Sequence, residues 1–235
     1  MATKPGKLYL IPAPLGDNAL DPIPEYVKPV VASLTHFVVE QEKTARRYLK
    51  AYGYPHPLNE LVLYPLNKHT TDDEMMEYIM PLLAGTSMGL ISEAGMPCIA
   101  DPGATIVEMA HQSKIQVVPL SGPSSILLAL VASGFNGQEF AFNGYLPIKH
   151  PERKQKLQEL ERLAQRGQTQ LFMDTPFRNK QLLDDLIQCC RPDTRLCIAC
   201  DLTLETEYIR TMSLNDWKKS KENLHKRPAI FILGR

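Results

Sequence analysis

The sequence has no excess of charge of either sign. Its 235 residues include 26 lysines and arginines and 26 aspartates and glutamates, so the formal net charge at pH 7 is zero. A chain without a net field has no global electrostatic attraction to nucleic acid or to an anionic membrane surface. Binding to either partner would therefore have to depend on local groups of side chains.

Long apolar runs and a regular set of cysteines are also missing. The purest apolar run, Ile126 to Ala132, is far shorter than the roughly 20 residues of a membrane-spanning helix. The N-terminus leads into a short apolar run broken by prolines, which is a poor signal peptide. The 5 cysteines are an odd number and do not form a disulfide framework. We therefore expect a cytoplasmic protein with reduced thiols and no membrane partner.

Glycine is scarce where a phosphate-binding loop would need it. Lys7–Ile11 is predicted to be the first strand, and the loop after it begins with Pro12 and Pro14. Phosphate loops present backbone N–H groups, which proline lacks. The loop therefore argues against phosphate and favours a neutral or cationic ligand, unless it is only a proline turn.

The most informative stretch runs from residue 88 to residue 103. Met88 to Ile91 is predicted to be a buried strand. Asp101 suits a helix N-cap, and Pro102 suits the first helical position. The long loop between them contains Gly95 and Pro97. A loop of this length between a strand and a helix is usually functional.

A similar strand, loop and helix follow directly. Residues 116–120 are predicted to be a strand, and a helix begins near Ile126, with Ser121, Ser124 or Ser125 available as its cap. We expect the two strands, 88–91 and 116–120, to be adjacent in a parallel sheet. Their loops would then form one wall of a small-molecule pocket at the carboxyl edge of that sheet.

The alternation of strands and helices ends near residue 138. Residues 1–138 are predicted to form an N-terminal α/β domain with a parallel sheet and Pro/Gly-rich ligand loops. Residues 139–235 are predicted to form a C-terminal mixed α/β domain. Within it, strands 195–200 and 207–212 have only a short connection, so we expect them to pair antiparallel.

Six segments, in the same order, resemble the tetrapyrrole methylase superfamily, the class III S-adenosylmethionine-dependent methyltransferases. The most similar branch is the ribosomal RNA small-subunit methyltransferase I family, which methylates a cytidine 2′-hydroxyl. The segments are 11–17 (IPAPLGD), 92–103 (SEAGMPCIADPG), 119–124 (PLSGPS), 145–149 (YLPIK), 174–178 (DTPFR) and 201–203 (DLT).

The resemblance implies a two-domain fold, a cofactor cleft between the domains and a homodimer. It also implies that S-adenosyl-L-methionine is held mainly by backbone groups. The implied cofactor residues of the first domain are Pro12, Ser92, Gly95, Asp101, Ser121 and Ser124. Those of the second domain are Leu146, Thr175, Leu202, Pro228 and Ala229.

A hydroxyl acceptor would require a general base. Glu93 and Glu40 are the two candidate catalytic residues, and His69 is a third. Each also has a purely structural interpretation. Glu93 could hydrogen-bond loop backbone, Glu40 could pair with Lys43 or Arg46, and His69 could simply be solvated.

The sequence departs from the branch mainly on the substrate side. Glu40–Lys43 replaces Glu-Asp-Thr-Arg, the segment around Leu66–His69 replaces His-Glu-His-Asn, and Glu93 stands where aspartate is usual. The chain also stops at Arg235, where the branch commonly continues into a small helical region. Three functions therefore remain open: 2′-O-methylation of small-subunit ribosomal RNA, methylation of a tetrapyrrole or other small molecule, and cofactor binding without catalysis.

Two further patterns have a simpler interpretation than their functional one. Basic clusters at 149–156 and 218–227 could contact RNA phosphates, but acidic residues lie among them, which favours solvated helix faces. Cys197 and Cys200 have the spacing of metal ligands, but on a strand they face opposite sides. We therefore expect core packing and no metal.

Overall fold

The computed structural model describes residues 4–17 and 19–235. It divides into two compact units, one ending at Ser124 and the other beginning at Ser125. Each unit contains one five-stranded sheet. No helix in the described ranges has both the length and the apolar character needed to cross a bilayer.

The sheet of the first unit is entirely parallel. Its strands are β1 (Lys7–Ile11), β2 (His36–Val39), β3 (Val62–Pro65), β4 (Met88–Ile91) and β5 (Gln116–Pro119), in the order β3-β2-β4-β1-β5. The helices are α1 (Val27–Ala32), α2 (Glu42–Ala51), α3 (Asp72–Leu83) and α4 (Gly103–Gln112). The predicted parallel, helix-covered sheet is confirmed.

The expected adjacency of strands 88–91 and 116–120 is wrong, because β1 lies between β4 and β5. Leu8 and Ile11 of β1 are fully buried and belong to separate core clusters. A parallel strand that is buried on both faces belongs in the interior of the sheet. Three neighbouring strands, rather than two, therefore end together at the same edge.

The helices of the first unit begin where local chemistry favours them. Thr71 and Glu74 form a reciprocal capping box at the start of α3, with Glu74 Oε2 2.8 Å from the Thr71 nitrogen. Helix α4 begins at Gly103 and is preceded by Pro102, one residue later than the sequence predicts. The N-cap is therefore Pro102 and not Asp101 as predicted, although Asp101 Oδ1 accepts the N–H of the first helical residue, Gly103, at 2.8 Å.

The sheet of the second unit is mixed. Its strands are β6 (Phe140–Tyr145), β7 (Thr169–Met173), β8 (Arg195–Cys200), β9 (Tyr208–Ser213) and β10 (Ala229–Gly234), in the order β6-β7-β10-β8-β9. Only β6 and β7 pair parallel, and the predicted antiparallel pairing of β8 with β9 is confirmed. The helices are α5 (Ser125–Ser133), α6 (His150–Gln165), α7 (Asn179–Cys189) and α8 (Leu214–Trp217).

Helix α5 belongs to the second unit, whereas the sequence pattern places the change of domain after residue 138. The helix contacts β8, β9 and β10 and buries Ala129 and Leu130. Because α5 follows β5 directly along the chain, it continues the strand–helix rhythm of the first unit. That rhythm does not reveal which sheet the helix covers.

The close contact between Gly234 and Phe135 gives a test of packing in the second unit. A Cβ at Gly234 would lie 2.3 Å from Phe135 Cγ, whereas a Cβ at Gly137 would have no atom within 4 Å. We expect Gly234→Ala to lower the free energy of unfolding by about 1–3 kcal/mol because it overpacks this site. Gly137→Ala, the control, should change it by less than about 0.5 kcal/mol. Urea unfolding measures both, and equal effects would contradict the described packing.

Candidate functional site

Three loops meet at the carboxyl edge of the first sheet. We call them loop 1 (residues 12–17), loop 2 (residues 92–102) and loop 3 (residues 120–124), and they follow β1, β4 and β5. Because β4, β1 and β5 are consecutive parallel strands, their loops emerge side by side. This is the edge at which open α/β sheets bind ligands.

Loop 1 and loop 2 are joined by a two-way backbone bridge. The Ala13 nitrogen donates to the Gly95 oxygen at 2.9 Å, and the Gly95 nitrogen donates to the Ala13 oxygen at 3.1 Å. Gly95 has a φ of +71°, a conformation that favours glycine. A Cβ there would also lie 3.2 Å from Leu15 Cδ2. Its conformation and its close neighbour therefore both favour glycine at position 95.

Loop 1 and loop 3 are in direct contact. A Cβ at Gly122 would lie 2.1 Å from Pro12 Cβ, so only glycine fits this position. Two tyrosines hold the same pair of loops. The hydroxyl of Tyr48 donates to the Pro12 oxygen at 3.0 Å, and the hydroxyl of Tyr26 accepts the Ser121 N–H at 2.7 Å. Hydrogen bonding with Ser121 lowers the pKa of Tyr26.

Loop 2 is folded around the carboxylate of Asp101. Asp101 Oδ1 accepts the N–H groups of Cys98 (3.0 Å) and Gly103 (2.8 Å). Cys98 and Ala100 have φ values of +69° and +62°, so this turn holds two non-glycine residues in the left-handed region. Asp101 Oδ2 is buried and has no hydrogen-bond partner in the described part of the chain. A buried carboxylate oxygen without a partner favours a cationic or N–H-donating ligand.

Of the two main candidate bases, Glu93 belongs to loop 2 and Glu40 lies beside it. Glu40 Oε1 accepts the Glu93 N–H at 3.0 Å, which fixes the end of β2 to the start of loop 2. Burial raises the pKa of Glu40. The hydrogen bond from the Glu93 N–H partly opposes this rise, and the nearby charges of Asp101 and Glu93 add to it. The Glu93 side chain is exposed. Arg46, a suggested partner of Glu40, is instead paired with Glu42 at 3.3 Å.

The third candidate base, His69, lies elsewhere on the unit. It is exposed in the loop between β3 and α3, and its backbone N–H donates to Asn67 Oδ1 at 2.9 Å. Strand β3 is at the edge of the sheet, separated from β4 by β2. This position fits the solvated interpretation of His69.

A pocket of about 320 Å³ lies between loop 1, helix α2 and the start of loop 2. Of the predicted site residues, Ser92 and Glu93 line it. The sequence analysis did not identify the contribution of α2, which supplies Thr44, Arg47 and Tyr48. A signal was present for Tyr48, since a tyrosine on the buried side of a helix usually has a hydroxyl partner.

The implied cofactor residues of the second unit also share one edge of their sheet. Strand β10 is antiparallel to both β7 and β8, so its first residue lies beside their last residues. Thr175 follows β7, Leu202 follows β8, and Ala229 begins β10. The Asp201 nitrogen donates to the Pro228 oxygen at 3.0 Å. Leu146, which follows the parallel neighbour β6, completes the group.

Side-chain burial separates these five residues into two kinds. Leu146, Leu202 and Ala229 are buried. Pro228 is exposed and Thr175 is half-buried. Contact of a ligand with the backbone of these residues remains a prediction of the family resemblance.

Two members of the basic clusters are not solvated, which corrects the sequence-based interpretation for them. Arg153 is 1% exposed and pairs with Asp185 at 3.0 Å. Arg227 pairs with Asp201 at 2.7 Å and with Glu222 at 2.8 Å. Neither guanidinium is available for RNA phosphates. Both instead fix loops of the second unit.

The cysteines have structural environments. Cys197 and Cys200 lie on β8 and are fully buried, and burial raises the pKa of both thiols. Burial also raises the pKa of Cys98 to about 11, which disfavours a nucleophilic thiolate. Within residues 4–17 and 19–235, no three His, Cys, Asp or Glu side chains are grouped so that they could hold a metal ion.

Comparisons with known proteins agree with this architecture. A family model described as Tetrapyrrole (Corrin/Porphyrin) Methylases matches residues 7–217. The chain is 30% identical over 229 residues to a ribosomal RNA small subunit methyltransferase I of Vibrio cholerae, covering 96% of this chain and 76% of that one. It is 32% identical over 206 residues to the Bacillus subtilis protein of the same name, covering 87% and 67%.

Solved structures show the same fold at low sequence identity. The crystal structure of the methyltransferase CobJ matches with a TM-score of 0.65 and 17% identity, covering 98% of this chain and 94% of that one. A uroporphyrin-III-C-methyltransferase from Thermus thermophilus matches with a TM-score of 0.59 and 17% identity, covering 97% and 94%. At this identity, the likeness concerns architecture.

Proposed function

The chain belongs to the tetrapyrrole (corrin/porphyrin) methylase family, and from this premise we propose that it is an S-adenosylmethionine-dependent methyltransferase of small-subunit ribosomal RNA. The main support for ribosomal RNA as the acceptor is the 30% identity, over 96% of this chain, to the Vibrio cholerae protein named ribosomal RNA small subunit methyltransferase I. The joined loops of the first unit support the use of a bound methyl donor. The structural neighbours, at 17% identity, show only the fold and do not decide the acceptor.

The first-unit loops fit the proposed cofactor. The residues that would hold it are Pro12, Ser92, Gly95, Asp101, Ser121 and Ser124. The buried, unpartnered Asp101 Oδ2 suits a positively charged group, and the prolines of loop 1 offer no N–H groups to a phosphate. When bound, S-adenosylmethionine would supply a methyl group from its sulfonium, and the rest of the cofactor would be released as a neutral thioether. The five residues of the second unit remain a prediction of the resemblance.

We assign the general base to Glu40. A methyl transfer to a cytidine 2′-hydroxyl, the finer form of the proposal, must release the hydroxyl proton. Partial burial raises the pKa of Glu40, which makes its carboxylate a stronger base than an exposed glutamate. Its Oε1 is oriented by the Glu93 N–H. Glu93 then has a positioning role through its backbone, and its exposed carboxylate is the second candidate.

Three parts of the proposal go beyond the shared family. They are the 2′-oxygen of a cytidine as acceptor atom, a homodimer as the assembly, and the cytoplasm as the location. The resemblance of segments 11–17 and 92–103 to the ribosomal RNA branch supports the first two. The composition supports the third, since reduced thiols are the simplest interpretation of 5 unpaired cysteines.

The proposed function predicts labelling of ribosomal RNA. Purified protein, methyl-labelled S-adenosylmethionine and small ribosomal subunits from cells that lack this protein should give labelled RNA, and nuclease digestion should yield 2′-O-methylcytidine. Subunits from cells that contain the protein are the control and should remain unlabelled. Cofactor binding in a thermal-shift assay without any labelled RNA would contradict the acceptor. Labelling of a tetrapyrrole instead would establish the small-molecule alternative.

The assignment of Glu40 predicts a specific kinetic defect. We expect Glu40→Gln to lower kcat about 10²–10⁴-fold, the usual contribution of a general base, with little change in cofactor affinity. In the wild type, kcat should rise with pH as Glu40 ionises, around a pKa above the ordinary 4.5. The kcat of the variant should not show this rise with pH.

The control for this substitution is Glu42→Gln, which changes an exposed carboxylate that pairs with Arg46. It should retain the kcat and the pH profile of the wild type. If Glu40→Gln has a normal kcat and Glu93→Gln has a lowered kcat, the general base is Glu93 and not Glu40.

A further inference from the structure

We propose that the pocket beside helix α2 binds a single nucleotide of the RNA acceptor, with its base in the pocket and its phosphate at Arg47. This inference rests on the proposed function and deepens it. We call the cavity the α2 pocket; it lies between loop 1, α2 and the start of loop 2. Its location, size and apolar lining favour this occupant, and Arg47 supplies one cation for the phosphate.

The α2 pocket is next to the proposed cofactor residues but largely separate from them. Of the six first-unit cofactor residues, only Ser92 lines it. The lining includes Ala13 but neither Pro12 nor Gly95, so the backbone bridge between loops 1 and 2 borders the pocket. An acceptor must approach the methyl group from outside the cofactor's own site. A pocket that adjoins that site through Ser92 meets this requirement.

The size of the α2 pocket distinguishes between a nucleotide and a tetrapyrrole as the acceptor. At about 320 Å³ it is at the small end of the range for ligand pockets. Such a volume accommodates one nucleoside but not a porphyrin-sized macrocycle with its carboxylate arms. The pocket therefore favours a nucleotide over a tetrapyrrole.

The lining suits a flat base with a polar edge. Apolar side chains of loop 1, α2 and the strand ends form most of the surface, among them Leu15, Val39 and Ile91. The polar members include Thr44 and the exposed Glu93. Apolar surfaces with a few polar groups are the usual environment for a base that an enzyme has extruded from its stack.

Arg47 is poised to bind a phosphate at the rim. Its guanidinium pairs with Asp17 at 3.2 Å, but the two side chains are 68% and 79% exposed. An exposed pair of this kind contributes little to stability, so exchanging Asp17 for a phosphate has a small energetic cost. A guanidinium binds phosphate in a bidentate geometry that lysine cannot reproduce.

The pocket also adjoins the proposed base. Glu93 lines the pocket, and its backbone N–H is held by Glu40. A nucleotide whose base occupies the α2 pocket would thus place its ribose near Glu40. This arrangement connects the recognition of the acceptor to the removal of its proton.

Two substitutions test the inference by kinetics. Ala51→Leu enlarges an exposed side chain that lines the pocket, and Arg47→Ala removes the proposed phosphate contact. Each should raise the KM for small ribosomal subunits at least about 10-fold, while the dissociation constant of S-adenosylhomocysteine stays within about 2-fold of wild type. Lys50→Ala, an exposed cation on the same helix outside the pocket, should leave both constants unchanged. An unaltered KM, or weakened cofactor binding in Ala51→Leu, would overturn the assignment.

A direct binding experiment decides the inference even if the ribosomal acceptor is wrong. Four alanine methyl groups line the pocket, those of Ala13, Ala45, Ala51 and Ala94. In protein with ¹³C-labelled alanine methyl groups and saturating S-adenosylhomocysteine, cytidine monophosphate should shift these signals and leave the other alanines unshifted. Ala51→Leu should abolish the shifts. Wild-type protein without pocket shifts, or with shifts confined to other alanines, would overturn the pocket assignment, whereas a lack of RNA labelling alone would overturn only the ribosomal acceptor.

Discussion

The backbone bridge between Ala13 and Gly95 is the constraint on which the site of the first unit depends. It joins loop 1 to loop 2 by two hydrogen bonds, and the contact of Pro12 with Gly122 joins loop 1 to loop 3. Loop 1 is thus the central member of the three, as β1 is the central strand among β4, β1 and β5. Proline and glycine serve different purposes here, since proline stiffens loop 1 and glycine permits the close approach of its neighbours.

The second determinant of the site is the desolvation of its carboxylates. One carboxylate oxygen of Asp101 accepts hydrogen bonds from loop backbone, and the other is buried and has no hydrogen-bond partner in the described residues. The pKa of Glu40 is raised by burial. Both features are costly for a protein that binds nothing at this edge. They become favourable on binding of the proposed cationic donor and proton-releasing acceptor. A carboxylate held away from water beside an apolar pocket suits the proposed methyl transfer from a sulfonium to a hydroxyl.

Local sequence patterns were sufficient for the elements and for the loops. The strands β1 and β4 have the predicted bounds. A short apolar run that is followed by proline, glycine or serine defines both ends of a buried strand. The position of β1 between β4 and β5 could not be read locally, since strand order depends on crossovers between distant segments. Arg153 shows the same limit: a basic helix suggested solvent exposure, yet its partner Asp185 lies more than 30 residues away. Tyr26 and the α2 pocket were likewise missed because their partners come from other elements.

The central claim is that the attachment of loop 1 to both of its neighbours forms the proposed cofactor site, and Gly122→Ala tests the contact between loops 1 and 3 most directly. The added Cβ would lie 2.1 Å from Pro12 Cβ and must move the loops apart. Calorimetric titration should show that the variant, folded by circular dichroism, binds S-adenosylhomocysteine at least about 10-fold more weakly than wild type, a loss of about 1.4 kcal/mol. Gly137→Ala, where a Cβ would have no close neighbour, should bind normally. A folded Gly122→Ala protein with wild-type affinity would contradict the account.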